Sequence, residues 1–459
     1  MTVEARIQVP PLYCPIEEAI HPDADAVEQA SIAWMSRFPA FTDGGMMRQW
    51  VKTPAADFSA RNAPDAPYEA AQLHADFTYF TMMFDDLRAD TAPWNTHVEK
   101  FLPLACRLVQ VLETPRAPVP TNDPVVVPLR EIAQRATKLA TPSQWRRVIE
   151  EMRSWFLSIG WQISNEGSRC VLNLEEYLAM RHGTIGGPLY FTFYKIGNGP
   201  PVPDPELDRP AVIALADMVN AVCLLINDLY SYAKEQEMQQ SRQSTVSSLM
   251  HQHGIGAEEA FAATAAIHDR VMVRFIQLRD AIASHCSPEV GSYLAHLSHI
   301  ARGNLDWSMR VPRYRGDHPD LRPETLSALV SDRPCDTTPG PLPIAAWQWW
   351  WDDLDSPVGA GGGERRGSVL ILTTEPFGSR VSGLRGLSEP NLFGVSFDLQ
   401  CSGPLDSRGH VSPWRGKGSA YAYPGSVSRR NRIWSSMPLL ARSTPCRFAP
   451  GRRMTGRVG

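Results

Sequence analysis

The chain has 459 residues, 43% of them hydrophobic, and a formal net charge of −4. That length has room for up to about three domains, and the composition is that of a folded globular chain rather than a disordered or fibrous one. The eight cysteines stand singly with no paired spacing, so neither a zinc site nor a disulfide framework is indicated. The net charge hides an asymmetry: residues 1–335 carry −10, while residues 336–459 carry +6 and have no acidic residue after Asp406.

At the N-terminus, "MTVEARIQVPPLYCPIEEAI" has no basic segment followed by an apolar one. Nowhere do about 18 uncharged apolar residues run together, so the chain reads as cytoplasmic and without a membrane span. Apolar residues at helical spacing begin at 23–38, "DADAVEQASIAWMSRF", and return at 68–84, 143–163, 174–182, 210–236 and 257–285. Alternating strand patterns are nearly absent, no repeat of fixed period occurs, and Pro and Gly cluster between the runs, as in "NGPPVPDPELDRP". The pattern predicts one all-α domain over residues 1–335, with helices long enough to surround a cavity. Residues 336–459, basic and rich in Gly, Ser, Pro and Arg, read as a poorly ordered tail, an incidental extension with no nucleic-acid partner expected. Its acidic cluster "WQWWWDDLD" lies among Pro and Gly without a helical frame and reads as solvated.

Two apolar helices carry polar intrusions. "FTMMFDDLRAD" holds Asp85, Asp86 and Asp90, carboxylates that repel one another and are costly to desolvate without a cation. Arg88 or a hard divalent ion would serve. On a helix Asp86 is rotated about 100° from Asp85, and Asp90 returns to the face of Asp86. Asp85 is therefore expected at the cavity above Thr78, Thr81 and Met82, with Asp86 and Asp90 supporting it from behind. In "INDLYSYAKE", Asn227, Ser231 and Glu235 stand at i, i+4 and i+8, which puts three oxygen-bearing side chains on one face within about 12 Å of rise. Side chains lean towards the helix N-terminus, so the long Glu can reach back to an ion shared with the shorter Ser and Asn.

"FDDLRAD" resembles the aspartate-rich motif, and "NDLYSYAKE" the Asn-Ser-Glu motif, of the microbial class I terpene synthases. In that family a diphosphate-sensing Arg precedes the Asn by about 46 residues, and Arg181 stands 46 before Asn227. An Arg-Tyr pair ends the family pattern, and "WSMRVPRYRGD" offers Arg313 and Tyr314. The likeness covers about residues 10–320, and "PPLYCP" is similar to the start of the methylisoborneol-type branch. It implies a single class I terpenoid synthase helical bundle around a central cavity. Asp85 would bind two Mg²⁺, and Asn227, Ser231 and Glu235 a third, with Mn²⁺ able to substitute. Arg181, Lys234, Arg313 and Tyr314 would hold the diphosphate. Phe77, Met82 and Trp307 would wall the pocket, and Thr184 and Ile185 fall at the family's helix break, where Ile185 stands in place of the more usual Gly.

The function so implied is the Mg²⁺-dependent ionisation of a prenyl diphosphate, farnesyl diphosphate first, and cyclisation of the carbocation to a sesquiterpene with release of diphosphate. Geranyl, methylated geranyl and geranylgeranyl diphosphates are the alternatives, and a homodimer is compatible with the reading. A chain-elongating prenyltransferase would show two Asp-rich motifs. A di-iron carboxylate bundle needs two ExxH motifs, of which only Glu18 to His21 occurs. A non-catalytic helical binding protein has no reason to keep these residues in register.

Overall fold

The structure is a computed structural model that describes residues 8–43, 46–118, 121–168, 172–238, 243–315, 326 and 328–354. Met1–Arg365 forms one compact unit. The helices run α1 (Ala24–Met35), α2 (Pro39–Thr42), α3 (Met47–Val51), α4 (Ala55–Asn62), α5 (Tyr68–Arg88), α6 (Val98–Glu113), α7 (Val126–Leu139) and α8 (Pro142–Ser168). They continue with α9 (Leu174–Thr184), α10 (Gly187–Phe193), α11 (Asp204–Leu207), α12 (Pro210–Met238), α13 (Thr245–His253), α14 (Ala257–Ala283), α15 (Pro288–Arg310) and α16 (Pro312–Arg315). Two short strands, β1 (Leu12–Tyr13) and β2 (Val330–Ser331), pair in parallel, Leu12 with Val330. Among the described residues this is the all-α bundle expected.

The helices sort into two apolar clusters. One joins α1 and α4–α8, the other β1, α9 and α12–α15, and α10 lies between them, its Tyr190 packed against both. The central helix is α12, whose residues from Val219 to Ile226 are all buried. By length and composition alone Pro210–Gln236 could cross a membrane, but 78% of its apolar window is buried inside the protein, as suits a core helix. Its polar residues from Asn227 onward therefore project from the middle of the molecule rather than from its rim. Helix α9 starts from a reciprocal cap, in which Glu176 N–H donates to Asn173 Oδ1 at 2.9 Å and Asn173 N–H to Glu176 Oε2. That fixes the register in which α9 presents Arg181.

Helices α4, α6, α7 and α15 lie outside the segments that periodicity marks. In α15 the reason is visible: His296, Ser298, Asn304, Asp306 and Ser308 are buried beside its apolar residues, so polarity does not separate its faces.

The domain boundary at residue 335 needs correction. Residues 336–354 belong to the packed unit: Leu342, Ile344, Trp347 and Trp350 are buried, and the two indoles stack at 4.9 Å. Ala345 N–H donates to Glu175 on α9 at 2.8 Å, and Arg274 on α14 donates to the Trp350 carbonyl at 2.7 Å. The acidic cluster does have a frame, a 3₁₀ turn over Ala345–Trp351. Tryptophans bury enough area to hold a short segment despite its Pro and Gly neighbours. The rest of the expected tail, residues 355–459, lies outside the described residues.

Candidate active site

The acidic end of α5 divides its carboxylates. Asp86 is buried and accepts two hydrogen bonds from the Arg313 guanidinium, at 2.6 and 2.8 Å. Burial opposes its charge, yet that pairing holds its carboxyl below the usual range. Asp85 and Asp90 line one polar cavity, which corrects the expectation that Asp90 follows Asp86. Helix α5 stops at Arg88, and Asp90 N–H donates back to the Asp85 carbonyl at 3.0 Å. That wrap takes Asp90 off the helical screw and round to the side of Asp85. Arg88 turns away, to Asp123 at 2.9 Å and over the Trp94 ring. Burial, then the neighbouring carboxylates, push Asp85 well above the usual range and Asp90 up to about 6.

Helix α12 supplies further oxygens to the same cavity: Asn227, Ser231 and Glu235 all line it, together with Lys234. Burial, then the charge of Asp228, raises Glu235 to about 7. Burial, then Arg313, pushes the Lys234 ammonium down. The Ser231 hydroxyl is buried, and among the described residues none meets it in hydrogen-bonding geometry, although it lies close enough to Glu235 to ease that carboxylate.

Arg181 ties α9 to α12. Its Nε donates to Asp228 Oδ1 at 3.1 Å, one amino group to Thr184 Oγ1 at 3.3 Å, and the other to Asn227 Oδ1. Asn227 Nδ2 then donates to the Tyr314 hydroxyl at 2.8 Å. Asp228 was not singled out from the sequence. Its second oxygen accepts from the Tyr177 hydroxyl at 2.8 Å and from the N–H and hydroxyl of Thr245, both at 2.7 Å, so a saturated buried carboxylate aims the guanidinium. Tyr177 and Arg181, four apart on α9, are the signal that would have found it.

Among the described residues no three of His, Cys, Asp and Glu gather as a metal-binding group. The donors around the cavity are instead mixed carboxylate, amide and hydroxyl oxygens, a hard set suited to a Mg²⁺-class ion. The orphaned Ser231 oxygen and the crowded carboxylates fit a cation there.

A second compartment, of about 140 Å³, adjoins the polar one, of about 110 Å³. Asp85, Arg181, Thr184, Asn227, Arg313 and Tyr314 line both. Met82, Ile185 and Trp307 line the second compartment, and Phe77 does not. Eight residues at 100° each leave position 77 about 80° round from Asp85. Phe77 lies behind Tyr190, stacked on Phe193 at 3.7 Å. Tyr190 takes the wall position, its hydroxyl 2.6 Å from Thr81 Oγ1, in a chain of edge-to-face rings with Phe58, Trp307 and Tyr314. Between α9 and α10, Gly186 adopts φ +74°, a conformation that favours glycine. A Cβ on Gly187 would stand 2.1 Å from Asn220 Oδ1, so the break holds α10 tight against α12 while Ile185 faces the chamber. A larger groove, of about 690 Å³, lies beside this break, where His182, Gly183 and Gly186 line it, and it shares Phe191 with the chamber; its Arg147 is already paired with Asp204 at 2.9 Å.

Residues 76–274 match the family model described as terpene synthase family 2, C-terminal metal binding. The spiroviolene synthase of Streptomyces violens is 36% identical over 77% of this chain and 99% of its own length. The crystal structure of the SVS_A2 protein from ancestral sequence reconstruction superposes with a TM-score of 0.68 at 34% identity, covering 76% of this chain and 100% of that one. A diterpene cyclase of Streptomyces sp. is 28% identical, over 76% of this chain and 96% of the relative. A (+)-T-muurolol synthase of Streptomyces clavuligerus that cyclises (2E,6E)-farnesyl diphosphate is 27% identical, over 75% and 85%.

Proposed function

We propose, on the premise that this chain belongs to the microbial class I terpene synthases, that it ionises a prenyl diphosphate of fifteen or twenty carbons and cyclises the carbocation, releasing inorganic diphosphate. Farnesyl diphosphate, the substrate expected from the sequence, is one of that pair. Relatives named for a diterpene and for farnesyl diphosphate set the twenty-carbon homologue beside it. The observation that carries the reading is the junction of a polar compartment with an aromatic one through six shared residues. Charge can be met at one end while a hydrocarbon lies in the other.

Asp85, Asn227, Ser231 and Glu235 would hold the divalent ions, taken as three Mg²⁺ with Mn²⁺ able to replace them, and Asp90 adds a carboxylate to that side of the cavity. Bound ions supply positive charge against which the diphosphate departs. Arg181, Lys234 and Arg313 offer fixed cations to the same leaving group and Tyr314 a hydroxyl. Asp228 and Asp86 keep the two guanidinium groups aimed, which lowers the ordering needed when substrate arrives. Beyond the junction, the rings of Tyr190, Phe58 and Trp307 line the chamber and favour positive charge there. The cytoplasmic placement expected from the sequence stands with this reading.

The test is incubation of the purified protein and Mg²⁺ with diphosphates of ten, fifteen and twenty carbons, following released diphosphate and volatile products. Release with none of the three would sink the reading. Elongated prenyl diphosphates as products would replace it with a prenyltransferase.

A further inference from the structure

Two carboxamides in the chamber wall have no use in the chemistry described so far. Asn62, at the end of α4, is fully buried, and among the described residues nothing meets its amide oxygen or nitrogen in full hydrogen-bonding geometry, although the amide lies close enough to the Tyr194 hydroxyl to ease that group's ionisation. Asn304 on α15 is 8% exposed, and its Oδ1 has no partner either. Both line the chamber. They are also neighbours: a Cβ on Gly303, the residue before Asn304, would lie 2.4 Å from Asn62 Oδ1. Three tyrosine hydroxyls nearby are taken. Tyr194, beside Asn62, shares a hydrogen bond with Thr78 at 2.6 Å, Tyr190 shares one with Thr81, and Tyr314 accepts from Asn227.

An unmatched buried amide is unfavourable, and an apolar side chain of similar size would line a hydrocarbon pocket without that penalty. A donor and two acceptors beside open volume are what a bound water needs. We propose that Asn62 and Asn304 bind one water molecule at the chamber wall, and that the carbocation captures it to give a terpene alcohol. The inference rests on the reading of the chamber as the carbocation's site. Asn62 Nδ2 donates to the water oxygen, and Asn304 Oδ1 accepts one of its hydrogens. The remaining lone pair forms the carbon–oxygen bond at the empty carbon orbital. The resulting oxonium passes one proton to the released diphosphate and leaves as the neutral alcohol, with no oxidant or reductant required.

The experiment uses the full chain with Mg²⁺ and, in turn, farnesyl and geranylgeranyl diphosphate in water enriched in oxygen-18. Released diphosphate and the masses of all products are recorded. The expected main product is an alcohol carrying the heavy isotope in proportion to the solvent. In Asn304→Leu and Asn62→Leu the alcohol share of the product falls about tenfold or more in favour of hydrocarbons, whatever the total turnover. Asn304→Ala, which adds no bulk, gives the same direction if a leucine variant does not fold. Hydrocarbons alone from the unaltered protein, with diphosphate released, overturn the proposal, as does an unchanged labelled-alcohol share in both Asn304 variants. No diphosphate release with either substrate is a different failure: it overturns the reading of the chamber itself, and the water with it.

Discussion

The polar mouth and the groups behind the chamber answer to protons in opposite senses. At the mouth, burial followed by repulsion or nearby negative charge raises Asp85, brings Asp90 to about 6 and Glu235 to about 7. Behind the chamber, burial drives His74 down to about 4, with its Nε2 on the Ile196 carbonyl at 2.9 Å, and depresses His296 well below its usual value. The folded mouth keeps protons that an unfolded chain would release. With no ion bound, it therefore loses stability as pH rises from about 4 towards 7. The histidines do the reverse: an unfolded chain takes up protons near pH 6.5 and the folded one does not until about 4, so their contribution is lost as pH falls through that window. One region is built to be unfavourable without a cation, and the other to stay neutral and dry at any working pH.

Chelation tests the contrast most severely. Excess EDTA is expected to abolish diphosphate release and added Mg²⁺ to restore it; undiminished turnover in EDTA would break the comparison at its root. Next in size is Trp350→Ala, expected to cost about 3–5 kcal/mol of stability in denaturant titration, since Trp350 belongs to the segment that braces α9 and α14 from outside. Because both compartments draw Arg181 and Thr184 from α9, the two should fail together, and a loss confined to one would show that the brace is local.

Asp85→Asn should lower kcat/KM by about 100-fold or more, equivalent to roughly 2.7 kcal/mol of transition-state stabilisation. Asp86→Asn, which loosens Arg313 instead, should cost about tenfold. Steady-state kinetics with circular dichroism decide the order, and the reverse order would shift the ion site to Asp86. Asp90→Asn sharpens the comparison further. It should lower activity and yet raise Tm by about 1–2 °C in EDTA near pH 7.5, because it removes a charge the folded state holds at a penalty. The smallest effect belongs to His74→Gln, expected to shallow the decline in Tm between about pH 6.5 and 5. An unchanged slope would mean that His74 is protonated in the folded protein.

The same contrast explains what was legible beforehand. A charged or amide side chain inside an apolar helix costs free energy unless something uses it, so Asp85, Asn227, Ser231 and Glu235 mark themselves, and one helical period places three of them together. Asp90 was misplaced because the end of α5 at Arg88 is set by the wrap back to Asp85, which composition does not encode. The chamber left no such mark. Its walls are the residue types of any core, and only tertiary packing puts Tyr190 rather than Phe77 at the surface of the cavity. Asn62 and Asn304 lie on α4 and α15, outside the segments that periodicity marks. The segment at 336–354 read as tail because Pro and Gly flank it, while the stacking of Trp347 on Trp350 that holds it is a contact between side chains.

The pairing of Leu12 with Val330 has a consequence for how the chain is made. Asp269 accepts from Tyr13 N–H at 2.9 Å with one oxygen and from Cys335 N–H at 2.8 Å with the other, so the N-terminal strand and the segment that follows β2 close on a single carboxylate. A contact between positions so far apart carries a large loop-closure entropy and cannot form until synthesis is nearly complete. By then the stretches bearing Asp85, Arg181 and Asn227 have already left the ribosome and can fold locally. Helices α5, α9 and α12 can thus form before the seam that seals the bundle, and a ribosome stalled short of Val330 would carry them on a nascent chain whose N-terminal strand still has no partner.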